Sequence, residues 1–321
     1  MEFASEKISV ASIDLQDRRF KIREDTGGEE LKESVEKTGL INCPYLISSE
    51  ADAKYRIVCG FKRIKAVLEL GLKEITANII DDCSDEKELF LLALHDNLAG
   101  LPLNLVEKAN AVKSLLKYFQ EEDVIKKYLP LLGLPPVFGC LEEMLLIEGL
   151  DPEIKQGMVN GTVAKKNGLS LFRLGSDGLI LYRLFIKVNL STSKQSEIIE
   201  SCSDISRRDQ LPISEIISEK EITEALSRDD LTLSQKGDRI RFFLRKKRFP
   251  MLTGLEDRFL TLKKKLGLPG NIRFEPPPSF EGEVYSLQIN FRNLEELKSS
   301  SDRVKLLAEN PLMKGLLEKD E

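Results

Sequence analysis

Residues 58–67 read VCGFKRIKAV. A β-prone run, YRIVCG (55–60), ends in a glycine, and a helix bearing Lys62, Arg63 and Lys65 begins at once. A helix start presents N–H groups that have no intrahelical partner, together with the positive end of the helix dipole. Gly60 lets a ligand come close to the backbone, and Lys62 or Arg63 can add charge-assisted bonds to phosphate oxygens. The pattern predicts an anion site at a strand–helix junction. A solvated helix start satisfies it too, so the junction needs its neighbours to decide its meaning.

Working outward, the first segment reads as α/β. ISVASIDL (8–15) has the look of a short strand that enters a charged turn, QDRRFKIRED (16–25). GGEELKESVEKTGL (27–40) spaces Leu31, Val35 and Leu40 near the helical period and stops at Gly39. CPYLIS and YRIVCG are apolar runs separated by the polar turn SEADAK, which predicts two strands in a hairpin. After the opening helix, Gly71 leads into a strand, EITANII (74–80).

From about residue 85 the pattern turns helical. EKELFLLALHDNL (86–98) and NLVEKANAVKSLLKYF (104–119) are the clearest helices, and shorter ones broken by Gly and Pro follow. The last segment changes again. A basic helical region around FFLRKKRF (242–249) precedes NIRFEPPPSFEGEVYSLQINF, which predicts two strands around a Pro/Gly-rich turn, then closing helices. Alternating Tyr285, Leu287, Ile289 and Phe291 predict a half-buried strand.

The 321 residues allow two or three domains, and 41% apolar with 31% charged residues describes a globular chain with a core. No apolar run approaches the roughly 18–20 residues that span a bilayer, and MEFASEKISV lacks the features of a signal peptide, so a cytoplasmic protein is expected. Five scattered cysteines (43, 59, 83, 140 and 202) without a C-x-x-C pair predict reduced, partly buried thiols. His95 is the single histidine, which removes multi-histidine metal centres and leaves a hard cation such as Mg²⁺ as the expected metal. A net charge of −5 argues against non-specific coating of nucleic acid, although Arg245, Lys246, Lys247 and Arg248 form a local basic run. That run reads either as a DNA-phosphate contact or as a solvated helix face whose neighbouring Phe242, Phe243 and Phe249 turn into the core.

A second constellation lies at the end of the 86–98 helix, where His95-Asp96-Asn97 precedes LAGLPLNLVEKA. An Asp-Asn pair beside a cationic phosphate site could hold Mg²⁺, although capping a helix is the commoner use of such residues. With these residues the chain resembles the N-terminal domain of the ParB family of chromosome and plasmid partition. VCGFKRIKAV is similar to that family's GERRxRA box through Gly60, Arg63 and Ala66, with Lys62 and Lys65 in place of arginines and Phe61 in place of the glutamate. DNLAGLPLNLVEKA aligns without gaps with ENxxRxxLNPxExA through Asn97, Leu103, Asn104, Glu107 and Ala109. LKESVEKTGLINCPYLI resembles the segment that opens the fold. Together the three boxes cover roughly residues 8–110.

The resemblance implies a ParB/sulfiredoxin-like α/β domain over 1–100. A helical, degenerate helix-turn-helix-like region would occupy 101–235 and a small α+β domain 236–321. It implies CTP with Mg²⁺, with Gly60, Phe61, Lys62, Arg63 and Lys65 around the phosphates and Arg18 or Arg19 near the nucleotide. Asn97 and Asp96 would be metal ligands, with Asp96 the candidate catalytic group. It also implies a homodimeric, DNA-associated, nucleoid-linked clamp.

Three departures weaken hydrolysis more than binding: Asp96 for glutamate, Gly100 for the arginine of ENxxR, and Phe61 for glutamate. VFGCLEEMLL offers Glu142 and Glu143 where a DNA-reading helix needs donors, so it reads as core. The acidic tail MEFASEK supports no partition ATPase partner. Cys59, close to where sulfiredoxin carries its cysteine, reads first as a buried small hydrophobe. The rivals are an enzyme on this fold, a small-molecule kinase or nuclease, and a scaffold without a ligand.

Overall fold

The computed structural model describes residues 3–23, 28–49, 54–80 and 85–313. Cys83, residues 50–53 of the SEADAK turn and the closing helix expected beyond 313 lie outside the described residues. The chain divides into two compact units, Met1–Ile186 and Lys187–Glu321. These do not coincide with segments cut at 100 and 235. The helices between residues 105 and 186 belong to the same compact unit as the sheet.

The first unit holds a five-stranded mixed sheet in the order β1-β5-β3-β4-β2. Its strands are β1 (Phe3–Ser9), β2 (Ile13–Asp14), β3 (Tyr45–Ser49), β4 (Lys54–Cys59) and β5 (Glu74–Ile80). β1 runs antiparallel to β5, β5 parallel to β3, β3 antiparallel to β4, and β4 parallel to β2. The predicted β3–β4 pairing is present, with Leu46 opposite Ile57.

The predicted 8–15 strand is not continuous. β1 begins at Phe3, and a 3-10 turn (Val10–Ser12) separates it from β2. Val10 N–H donates to Lys73 O at 2.9 Å and Ser12 Oγ to Ser9 O at 2.6 Å, which bends the chain there. β1 is an exposed edge strand in which Ile8 alone is buried, so it lacks an apolar run. Its charges suit an edge, as in the Lys7–Glu74 pair at 2.7 Å.

α1 (Glu29–Thr38) and α2 (Phe61–Glu69) pack on each other. Val35 of α1 and Ile64 and Val67 of α2 join Leu46, Ile57 and Ile75 of the sheet in one buried cluster. Ile64 and Val67, three apart, share one face of α2, so Lys62 and Lys65 are left off that face. α3 (Glu86–Leu98) follows β5 and contacts β4, with Phe90, Ala93 and Leu94 fully buried. α4 (Leu105–Tyr118) starts with a capping box: Asn104 Oδ1 accepts from Glu107 N–H at 3.0 Å and Glu107 Oε2 from Asn104 N–H at 2.9 Å.

Beyond α4 come α5 (Glu121–Asp123), a π-helical turn (Val124–Tyr128), α6 (Leu129–Leu131), α7 (Phe138–Glu148), α8 (Pro152–Val159), α9 (Lys165–Arg173) and α10 (Ser176–Lys187). α7 is the VFGCLEEMLL helix, and it packs on α4 through Cys140, Leu141, Met144 and Ile147. Glu142 is exposed, and Glu143 pairs with Lys165 at the start of α9.

The second unit is largely helical: α11 (Thr192–Asp209), α12 (Ile213–Ile217), α13 (Lys220–Ser227), α14 (Leu233–Arg248) and α15 (Pro250–Leu266). An antiparallel ribbon of β6 (Ile272–Glu275) and β7 (Ser286–Ile289) precedes α16 (Leu294–Ala308). The expected half-buried alternation along 285–291 holds at Tyr285 and Ile289 only, since Leu287 is 39% and Phe291 53% exposed. β6 supplies the buried side chains instead. Phe274 clusters with Phe259 and Tyr285, at centroid distances of 5.3 and 5.7 Å.

Candidate anion-binding site

Gly60 sits at the N-terminus of α2 with φ 93° and ψ 27°. A β-carbon there would lie 2.9 Å from Pro44 Cβ and 3.2 Å from Pro44 Cα, so both conformation and space call for glycine. Ile64 N–H donates to Gly60 O at 3.0 Å, so the amides of the first turn lie ahead of the helical ladder. Gly60 has no side chain to cap them.

That helix start forms one wall of a cavity of about 400 Å³. Asp96 and Asn97, at the end of α3, form another wall, and Lys21 and Arg23 reach it from the segment after β2. Among the described lining side chains, Lys21, Arg23, Lys62 and Arg63 are cationic and Asp96 is the carboxylate. Arg63 Nη2 stands 3.8 Å from Asp96 Oδ1, a loose pair in which both side chains keep a quarter to a third of their exposure. An anion entering the cavity would find a positive surround and could take Arg63 from Asp96.

The structure brings Gly60, Phe61, Lys62, Arg63, Asp96 and Asn97 together around this cavity. It does not bring the other candidates. Arg18 and Lys65 line a separate depression of about 260 Å³, which shares only Lys21 and Phe61 with the cavity. Arg19 lines neither, being held by Asp17 and by Glu86 at 2.6 Å. His95 is exposed and lines neither.

Arg23 is the residue that sequence reading missed. Its Nε donates to Asn97 Oδ1 at 3.0 Å, its Nη2 donates to Asn97 O at 2.9 Å and to Leu101 O, and its Nη1 lies 3.5 Å from Glu107 Oε2. A local signal was available. Phe20 and Ile22 are buried while Lys21 and Arg23 line the cavity, an apolar–cationic alternation legible in F-K-I-R.

The same geometry tests the expected metal. Asn97 Oδ1 already accepts from Arg23, Asn97 Nδ2 donates to Ala93 O at 2.7 Å, and Asp96 faces Arg63. Asn97 Oδ1 is thus taken by one guanidinium, and Asp96 Oδ1 stands loosely opposite another. The donor set does not fit a Mg²⁺ ion as it stands. Among the described residues no group of three or more His, Cys, Asp and Glu side chains comes together either.

Cys59 ends β4 next to Gly60 and is 1% exposed. Burial, and then Asp96, push its thiol up to about 12 against the opposing pull of Arg63. The thiol stays neutral at ordinary pH, as befits a packing residue. Because the folded state holds this proton more tightly than the unfolded state does, its contribution is complete below an unfolded thiol pKa of about 8.5. That contribution is lost as pH rises toward 12. The decline in unfolding free energy between pH 8.5 and the highest workable pH is therefore expected to be shallower in Cys59→Ala than in the wild type. Equal slopes would contradict this.

In the basic run on α14, every cation has a carboxylate partner. Arg245 makes two bonds to Glu256 at 2.7 and 3.0 Å, and Lys246 lies 3.6 Å from Asp257. Lys247 pairs with Glu219, and Arg248 with Asp204 at 2.5 Å and Glu200 at 3.7 Å. The expectation that the phenylalanines turn inward is corrected for two of the three: Phe242 is 62% and Phe249 41% exposed, Phe243 is half-buried, and the buried face of α14 carries Ile240 and Leu244. Phe249 lies under the Arg248 guanidinium, 4.7 Å from its ring centroid, where it stays at the surface. No helix among the described residues is long and apolar enough to cross a membrane.

Comparison with known proteins bears on the first unit. The profile of the ParB N-terminal domain matches residues 3–98. The probable plasmid-partitioning protein ParB of Thermus thermophilus is 37% identical over 106 residues, 33% of this chain and 33% of that protein. The nucleoid occlusion protein of Listeria innocua is 28% identical over 149 residues, 46% of this chain and 50% of that protein. The chain thus matches a third to a half of the length of these relatives. Two solved structures of the C-terminally truncated chromosome-partitioning protein ParB from Caulobacter crescentus are also similar. The one complexed to the centromeric parS site has a TM-score of 0.34 and 18% identity, covering 61% of this chain and 98% of that one. The one complexed with CTP-γ-S has a TM-score of 0.25 and 20% identity, covering 57% and 99%. Residues 3–98 match the ParB N-terminal domain, and the likeness to these partition proteins is carried by that part of the chain.

Proposed function

We propose that the cavity at the start of α2 binds a nucleoside triphosphate, CTP by the family resemblance, and that the chain is a nucleotide-responsive, DNA-associated protein of the partition or nucleoid-occlusion type. The observation that carries the nucleotide reading is the convergence of Gly60, the open first turn of α2 and four cationic side chains on one cavity. The DNA reading is supported by the family of the N-terminal domain and not by residues 245–248, whose charges are met within the protein. Pairing of two chains, as in the family's clamps, belongs to the same reading.

Hydrolysis draws less support. Among the described residues Asp96 is the carboxylate lining the cavity and it faces Arg63, so a water would have to displace that contact before Asp96 could act as a base. The kinase and nuclease readings need the same group and gain nothing from His95.

Calorimetric titration with CTP, ATP and GTP tests the proposal. The wild type is expected to bind CTP, and Arg63→Ala to bind it about 10–100-fold more weakly, the worth of a charge-assisted contact. Retention on duplex DNA is expected to fall steeply with salt. Selective binding of ATP, or CTP affinity unchanged in Arg63→Ala, would contradict the nucleotide assignment.

A further inference from the structure

We infer that this cavity takes its triphosphate without a divalent cation, the Arg23 guanidinium occupying the place that a metal would need. The inference rests on the nucleotide reading above and deepens it.

Magnesium at a phosphate site demands near-octahedral oxygen ligation at about 2.0–2.1 Å, commonly one or two protein oxygens plus the phosphates. Among the described lining residues, the side-chain oxygens are those of Asn97 and Asp96. Asn97 is fixed at both ends of its carboxamide, with Nδ2 on Ala93 O and Oδ1 on Arg23 Nε. A metal on Oδ1 would sit beside a guanidinium of like charge, whose repulsion is strong away from bulk water.

Arg23 cannot easily step aside. Three carbonyl oxygens, Asn97 Oδ1, Asn97 O and Leu101 O, accept from it. Its departure would also leave Glu107, only 3% exposed, without its nearby positive charge. Gly100 lies against this arrangement: a β-carbon at that position would stand in ordinary van der Waals contact, 3.9 Å from Arg23 Nη2. A guanidinium from the segment after β2 thus stands beside the position where a side chain on the α3–α4 connection is missing.

Among the described lining side chains, Lys21, Lys62 and Arg63 stand with Arg23 as cations beside the Asp96 carboxylate, so the triphosphate already has protein charges to meet it. A Mg²⁺ ion carried in on the triphosphate would cancel part of the ligand's charge and find Asn97 Oδ1 already taken by Arg23. The metal complex should therefore bind no more tightly than the bare triphosphate.

The test is calorimetry on the full chain with CTP and with inorganic triphosphate, each in excess EDTA and in excess Mg²⁺. Wild-type affinity for either ligand is expected to change by less than about threefold, or to weaken, when Mg²⁺ replaces EDTA. Arg23→Gln removes the charge and keeps a side-chain donor. It is expected to lose about tenfold or more in EDTA and to recover in Mg²⁺, since Asn97 Oδ1 is then released. Circular dichroism and a melting curve check that the variant folds, and the wild-type comparison stands without it. Wild-type binding that requires Mg²⁺ would overturn this inference and leave the nucleotide reading intact. Absence of binding in both buffers would overturn the nucleotide reading and the inference with it. An Arg23→Gln variant that is equally weak in both buffers would contradict the exchange of guanidinium for metal.

Discussion

Glu107→Ala is expected to lower the unfolding free energy of the N-terminal unit by about 3 kcal/mol, the cost of breaking a buried charge pair. Glu107 is 3% exposed and serves two neighbours through one carboxylate oxygen. Oε2 accepts the Asn104 N–H that opens α4 and lies 3.5 Å from Arg23 Nη1. Alanine removes half of the capping box, worth about 1 kcal/mol. It also leaves the Arg23 charge, itself mostly covered, without a compensating carboxylate. Glu107→Gln keeps an acceptor for Asn104 and loses only the charge, so it should cost less. Urea denaturation of the two variants separates these parts. A loss below about 1 kcal/mol for alanine would mean that water compensates Arg23 and that the clasp contributes little.

Gly60→Ala is expected to cost about 3 kcal/mol, for two independent reasons. A φ of 93° places any L side chain in a region that costs roughly 1–2 kcal/mol. The new methyl also meets Pro44 Cβ at 2.9 Å and Pro44 Cα at 3.2 Å, and such overpacking typically costs about 1–3 kcal/mol. Because Gly60 belongs to both the α2 start and the cavity wall, triphosphate affinity should fall along with stability. A variant whose denaturation midpoint stays at the wild-type value would show that the Gly60 conformation is not enforced.

These two residues also show why part of the site could be read in the sequence. Gly60, Lys62 and Arg63 are neighbours in the chain, and the strand–glycine–helix pattern fixes their mutual geometry locally. The hairpin of β3 and β4, α3 and the Asn104–Glu107 box were legible for the same reason, because period and capping are short-range signals. Arg23 was not. Its partner Asn97 lies 74 positions away, and only the folded chain brings the segment after β2 to the end of α3. β1 escaped notice because an exposed edge strand needs no apolar alternation. The cations at 245–248 looked available because their partners Glu200, Asp204, Glu219, Glu256 and Asp257 come from α11, from the residue before α13 and from α15. No pattern within α14 announces them. The division after Ile186 was likewise set by helix packing and not by any linker composition.

The central claim is that the α2 junction holds a triphosphate, and backbone amide NMR during titration with CTP tests it most directly. The account predicts saturable shifts concentrated at the amides of Phe61, Lys62 and Arg63 and at the Asn97 side chain. Shifts confined to the Leu15–Arg18–Lys65–Leu68 depression, or no shifts at all at saturating CTP, would contradict it.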